Sequence, residues 1–126
     1  MMLTTDQVRL LREPNFAIVA TLREDGSVHQ TVMWVDVDRD TVLLNTASPV
    51  KQKHLERDPR IAVLVVSRVD PYDYVAVHGL ATLDPDGAVD HANELAEKYT
   101  GSRRTFTPDE RRRRVIIRVR PLAVAR

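Results

Sequence analysis

The chain has 126 residues, 43% of them apolar and 29% charged, with a formal net charge of +1, which fits a single soluble globular domain with a real core. The near-neutral total argues against a dedicated nucleic-acid binder, and the lack of cysteine excludes disulfides, thiol catalysis and Cys-based metal sites. No stretch approaches the roughly eighteen apolar residues of a membrane span, and the N-terminus lacks the pattern of a signal peptide, so a cytoplasmic address is the expectation.

In chain order, Thr4 and Gln7 stand at capping-box spacing and open a helix that Pro14 stops. Phe16–Leu22 is a β-run apolar on both faces, hence central in a sheet, and Asp25-Gly26 is a hairpin signal. The return strand, Val28–Val37, is unusually long and carries Thr31, Met33 and Trp34. After a turn at Asp38-Arg39-Asp40 comes a third strand, Thr41–Ala47. Ser48 then caps a short helix with Pro49 at its first position, and Asp58-Pro59 ends it. Ile61–Ser67 and Tyr74–Leu83 are further strands, with Gly79 marking a bulge or a close backbone approach. Ala88–Tyr99 is a helix closed by Gly101, and Thr107-Pro108-Asp109-Glu110 starts another that leads into Arg111–Arg114. The last strand, Val115–Val119, is ended by Pro121. The sum is about six strands, mostly antiparallel, with helices between them: a mainly β (α+β) chain suited to a small closed or split β-barrel with peripheral helices.

The helix after Ser48 has an unusual charge order. A first turn favours Asp or Glu, since a helix N-terminus carries roughly half a positive charge. Here Lys51 and Lys53 come first and no acid appears before Glu56. Two readings are open: an anion such as a phosphate, held by backbone N–H groups, the Thr46 and Ser48 hydroxyls and the two ammonium groups, or two lysines solvating a surface helix.

Other constellations are weak. His29, His54, His78 and His91 form no ligand pair, no Ser stands in a nucleophile elbow, and the few glycines make neither a dinucleotide fingerprint nor a P-loop. The run Arg111–Arg114 reads as a solvated helix end before it reads as an anion patch. Trp34 suits core or the flank of a planar ligand.

The ordered set Phe16–Leu22, Asp25–Val35, Leu43–Thr46, Lys51–Arg60 and Tyr74–Ala81 resembles the pyridoxamine 5′-phosphate oxidase-like flavin reductases with a split β-barrel. Within that superfamily it most resembles the small proteins that use the deazaflavin coenzyme F420. The resemblance covers nearly the whole chain. It implies a homodimer with cofactor sites at the interface. The cofactor phosphate would lie against Thr46, Ala47, Ser48, Lys51 and Lys53, and its tricyclic ring along Thr31, Val32, Met33 and Trp34. Tyr72 and Tyr74 would approach the partner's site. The family often has Asn at the position of His54. The activity implied is F420H2-dependent hydride transfer to a small conjugated or quinone-like substrate, with no metal and no catalytic acid named. The alternatives are an FMN enzyme on the same fold, whose ribityl phosphate would use the same pocket, and a non-catalytic F420- or flavin-binding carrier.

Overall fold

A computed structural model describes residues 2–125. Seven strands form one antiparallel sheet in the order β2-β1-β5-β6-β7-β4-β3: β1 (Ala17–Leu22), β2 (Val28–Met33), β3 (Asp36–Asp38), β4 (Thr41–Thr46), β5 (Arg60–Val66), β6 (Tyr74–Asp84) and β7 (Val115–Ala125). Four helices, α1 (Thr5–Arg12), α2 (Pro49–Arg57), α3 (Ala88–Thr100) and α4 (Pro108–Arg113), lie around it. The sheet curls into a split barrel, with β2 and β3 as its edges, around a core that includes Val19, Val35, Val42, Leu44, Val63, Val77 and Ile117.

The helix starts follow the sequence closely. Thr4 and Gln7 complete a reciprocal capping box on α1, and Ser48 and Thr107 cap α2 and α4 ahead of a proline. Gly101 ends α3 in a left-handed conformation, φ +83°.

Two strands depart from the sequence reading. The expected Val28–Val37 strand is broken at Trp34-Val35 into β2 and β3, which makes seven strands rather than about six. The cause is competition for the backbone: the Val35 N–H donates to Tyr99 Oη at 3.0 Å, and Lys98 Nζ donates to the Val35 carbonyl. The end of α3 therefore takes hydrogen bonds that a neighbouring strand would have made. The last strand, in turn, runs through Pro121 to Ala125 instead of stopping there. Pairing jumps from His78↔Ala123 to Gly79↔Pro121, so the proline sits at a bulge, where its missing N–H is tolerated. Gly79 is required on the other side of that bulge. A Cβ there would run into the Arg120 carbonyl and lie 2.9 Å from Val119 Cγ1.

The outward face of the sheet is apolar and uncovered in the single chain. Register places Val32, Ile18, Leu64, Ala76 and Ala125 in one cross-strand row, with Gln30, Ala20, Ala62, His78 and Ala123 in the next. Ile18, Val28, Val32 and Leu122 are all exposed.

Candidate functional site

The segment from the end of β4 into α2 is built by three nested hydrogen bonds. Thr46, buried, accepts the Ser48 N–H on its hydroxyl at 2.9 Å. Ser48 Oγ accepts the Lys51 N–H at 3.3 Å, and the Ser48 carbonyl accepts Gln52 N–H. The Ala47 carbonyl accepts from Arg113 Nη1 at 3.2 Å, which ties α4 to this turn. The first turn of α2 holds no acidic residue.

Lys51 is the informative side chain here. It is half-buried, and that burial alone pulls its pKa below the ordinary lysine value. Among the described residues neither Lys51 nor Lys53 has an ion-pair partner. Lys53 is exposed, and two residues along a helix turn the side chain by about 200°, so it leaves on the other side of α2. The structure therefore does not bring the two lysines together. A partly desolvated, unpaired ammonium beside the N–H groups of a helix start is a ready place for an anion.

One turn beyond Lys51, His54 connects α2 to the barrel. It is buried, with Nδ1 3.0 Å from Thr21 Oγ1 and its ring edge-on to His29 at 5.2 Å. Burial, then the charges of His29, Arg57, Arg23 and Lys51, hold its pKa below the usual histidine value. Strand β2 turns His29, Thr31 and Met33 to the half-buried side, while Val28, Gln30 and Val32 are exposed. Two polar atoms on that inner side, His29 Nδ1 and Thr31 Oγ1, are buried without a hydrogen-bond partner.

Beyond β2 the chain opens into a cavity of about 280 Å³ lined by Val32, Met33 and Trp34, and by Asn45, Phe106 and Arg114 among others. Trp34 is not core: it is half-exposed and stacks on Tyr99, with centroids 5.2 Å apart and planes 5° from parallel. The Tyr99 hydroxyl, tied between Val35 and the Asn15 carbonyl, has its pKa pushed up to about 12, chiefly by burial.

Of the residues named from the sequence, Thr46, Ala47, Ser48 and Lys51 gather at the α2 start, while Val32, Met33 and Trp34 gather at the cavity. Thr31 lies on β2, on the half-buried side with His29 and Met33. Tyr72 is 81% exposed and Tyr74 stands at the start of β6, and neither lines the Trp34 cavity. The sequence reading missed Asn45, Arg104, Phe106 and Arg114. The arginine run masked Arg114: Arg111, Arg112 and Arg113 end α4 exposed, as a helix end should, but Arg114 folds back half-buried against Asn45. No group of three or more His, Asp or Glu side chains among the described residues could hold a metal ion.

Comparison with known proteins finds relatives that match nearly the whole chain. A curated relative is the F420H(2)-dependent biliverdin reductase of Mycobacterium tuberculosis (strain CDC 1551 / Oshkosh), 26% identical over 117 residues, spanning 93% of this chain and 82% of that protein. A solved structure described as an F420 reductase superposes with a TM-score of 0.85 at 29% identity, covering 98% of both chains. A conserved hypothetical protein from Mycobacterium tuberculosis superposes with a TM-score of 0.77 at 26% identity, covering 98% of this chain and 83% of that one. The sequence profile described as pyridoxamine 5′-phosphate oxidase matches residues 3–126. The chain belongs to the pyridoxamine 5′-phosphate oxidase family.

Proposed function

We propose that this protein is an F420H2-dependent oxidoreductase that reduces a small conjugated or quinone-like substrate, working as a homodimer with its cofactor sites at the interface. The observation that carries the cofactor side is Lys51: a half-buried cation with no acidic partner at a helix start. The unsatisfied Thr31 hydroxyl on β2 adds a second polar atom without a partner. Together they suit a ligand with a phosphate at one end and a planar, hydrogen-bonding ring at the other. The similarity to F420-using relatives over nearly the whole chain favours the deazaflavin among such ligands.

When bound, reduced F420 supplies the hydride, and the protein's task is to bind, orient and exclude water. Lys51, the Val50 N–H left over by the Ser48 cap and the Thr46 and Ser48 hydroxyls hold the phosphate. Thr31 offers its hydroxyl to the ring edge. Trp34, fixed from behind by Tyr99, forms a rigid wall against which the substrate is ordered. Lys53 faces away and makes at most a long-range contribution.

A second copy of the chain is the natural cover for the outward sheet face, whose rows of Ile, Val, Leu and Ala run across five strands. In such a dimer Tyr72 and Tyr74 would contribute to the partner's site. FMN, with its ribityl phosphate, is the second reading, since the Lys51 site accepts either phosphate. Titration of the purified protein with F420 and with FMN tests the choice: tighter binding of F420, followed by oxidation of F420H2 with a quinone acceptor, is the expected result.

A further inference from the structure

The Trp34 cavity holds two arginines that the proposed phosphate site at α2 does not include. Arg104 and Arg114 both line it, and both guanidinium groups pack on Phe106, 5.4 and 4.8 Å from the ring centroid. No acidic side chain lines the cavity. Arg114 is half-buried, which lowers its pKa, and its neutralisation is incomplete. Its Nη2 is 4.0 Å from Glu110 Oε2, and its Nε is buried with no hydrogen-bond partner. A buried guanidinium donor left unsatisfied is costly unless something else meets it.

Arg114 is also held in a set direction. Nη1 donates to Asn45 Oδ1 at 3.0 Å, while Asn45 Nδ2 donates to the Ala88 carbonyl at 2.8 Å. These two partners fix which end of the amide is which. His91 Nδ1, 3.0 Å from Asn45 Nδ2, must therefore be an acceptor, and its proton sits on Nε2. Burial of His91 favours the same neutral form. Strand β4 and helix α3 thus position one arginine in the wall of a cavity that Trp34 also lines.

We infer that the cavity binds a planar conjugated molecule through a carboxylate, which Arg114 and Arg104 hold while Trp34 lies against its ring system. This rests on the proposed reduction of a conjugated substrate and narrows it to an anionic one. Arg114 provides the directed, partly desolvated contact, and Arg104, exposed at the rim, adds charge.

Trp34 is the sole tryptophan of the chain, so its fluorescence reads this cavity directly. The test is to titrate the protein with anthraquinone-2-carboxylate and with anthraquinone-2-carboxamide, each with and without saturating F420. The wild type is expected to bind the carboxylate about tenfold more tightly or better, as a charge-assisted contact should, with or without F420. Arg114→Gln should bring the ratio close to one and Arg104→Gln should reduce it. Arg104→Gln alters an exposed side chain and serves should Arg114→Gln fail to fold. Equal binding of the two probes by the wild type overturns the inference, as does a preference that survives in both variants. Loss of carboxylate binding when F420 is added overturns it too, because the arginines would then serve the cofactor's own tail. A protein that keeps the preference but does not bind F420 supports the carboxylate site while refuting the F420 reading.

Discussion

The Nδ1 atom of His54 lies 3.0 Å from the hydroxyl of Thr21, so the last turns of α2 are joined to the floor of the barrel through one buried imidazole. The groups facing that ring are His29 on β2, Arg23 in the β1–β2 turn, and Lys51 and Arg57 on α2, and each lowers its pKa or leaves it no compensating acid. With the folded-state pKa below the unfolded value, the unfolded chain takes up the proton first. The stabilisation is therefore complete above the ordinary histidine pKa and falls as pH drops through and below it. Thermal melts between pH 7.5 and 5 should show a declining Tm. His54→Asn, which keeps a polar partner for Thr21, should flatten that decline, leaving the part due to His91, whose pKa is also lowered by burial. An unchanged pH slope in His54→Asn would remove His54 from the account.

Lys51 and Lys53 offer an internal control, because the helix separates them. A charge-assisted hydrogen bond is worth about 1.5–3 kcal/mol, so Lys51→Ala should weaken binding of a phosphate-bearing cofactor by about tenfold to a hundredfold. Lys53→Ala should change it by less than about threefold and mainly through its salt dependence. Both variants should melt near the wild type, since neither lysine has an ion-pair partner among the described residues to lose. Fluorescence titration across a salt series separates the two.

Tyr99 supports Trp34 from behind and also bonds the kink that splits the edge strand. Tyr99→Phe keeps the stack but leaves the Val35 N–H and the Asn15 carbonyl without the hydroxyl. A loss of about 1–3 kcal/mol is expected for buried groups left unpaired, measured by urea unfolding. A shift in Trp34 emission should accompany it.

Gly79→Ala tests the bulge. With the Arg120 carbonyl and Val119 Cγ1 in the path of the new methyl, overpacking should cost about 1–3 kcal/mol by the same unfolding assay.

The outward face provides a fifth test. Ile18, 40% exposed, lies beside Val32 and Leu64 in a cross-strand row. A charge there would be desolvated by a second copy, so Ile18→Glu should shift the protein from dimer to monomer in sedimentation. It should weaken F420 binding at the same time if the sites are shared between chains.

Much of this was legible in the residues because local signals and tertiary structure agree. Thr4, Ser48 and Thr107 cap the helices they announce, and Gly79 sits where close approach demands it. The departures share one cause. Trp34-Val35 and Pro121 lie where a distant partner decides the backbone: the end of α3 in one case, a bulge against β6 in the other. The site shows the same division. The α2 start was visible as a charge anomaly within a few residues of chain. The Arg114–Asn45–His91 chain joins positions far apart in sequence, and no local pattern marks it. Lys51 and Lys53 looked equivalent as letters, and only helical geometry separates them.

The most direct test of the central claim is a side-by-side titration of F420 and FMN into wild-type protein and Lys51→Ala. The account predicts that the wild type binds F420 more tightly than FMN and that Lys51→Ala loses about tenfold or more in F420 affinity with its fold intact. F420 affinity unchanged by removal of Lys51 would contradict it.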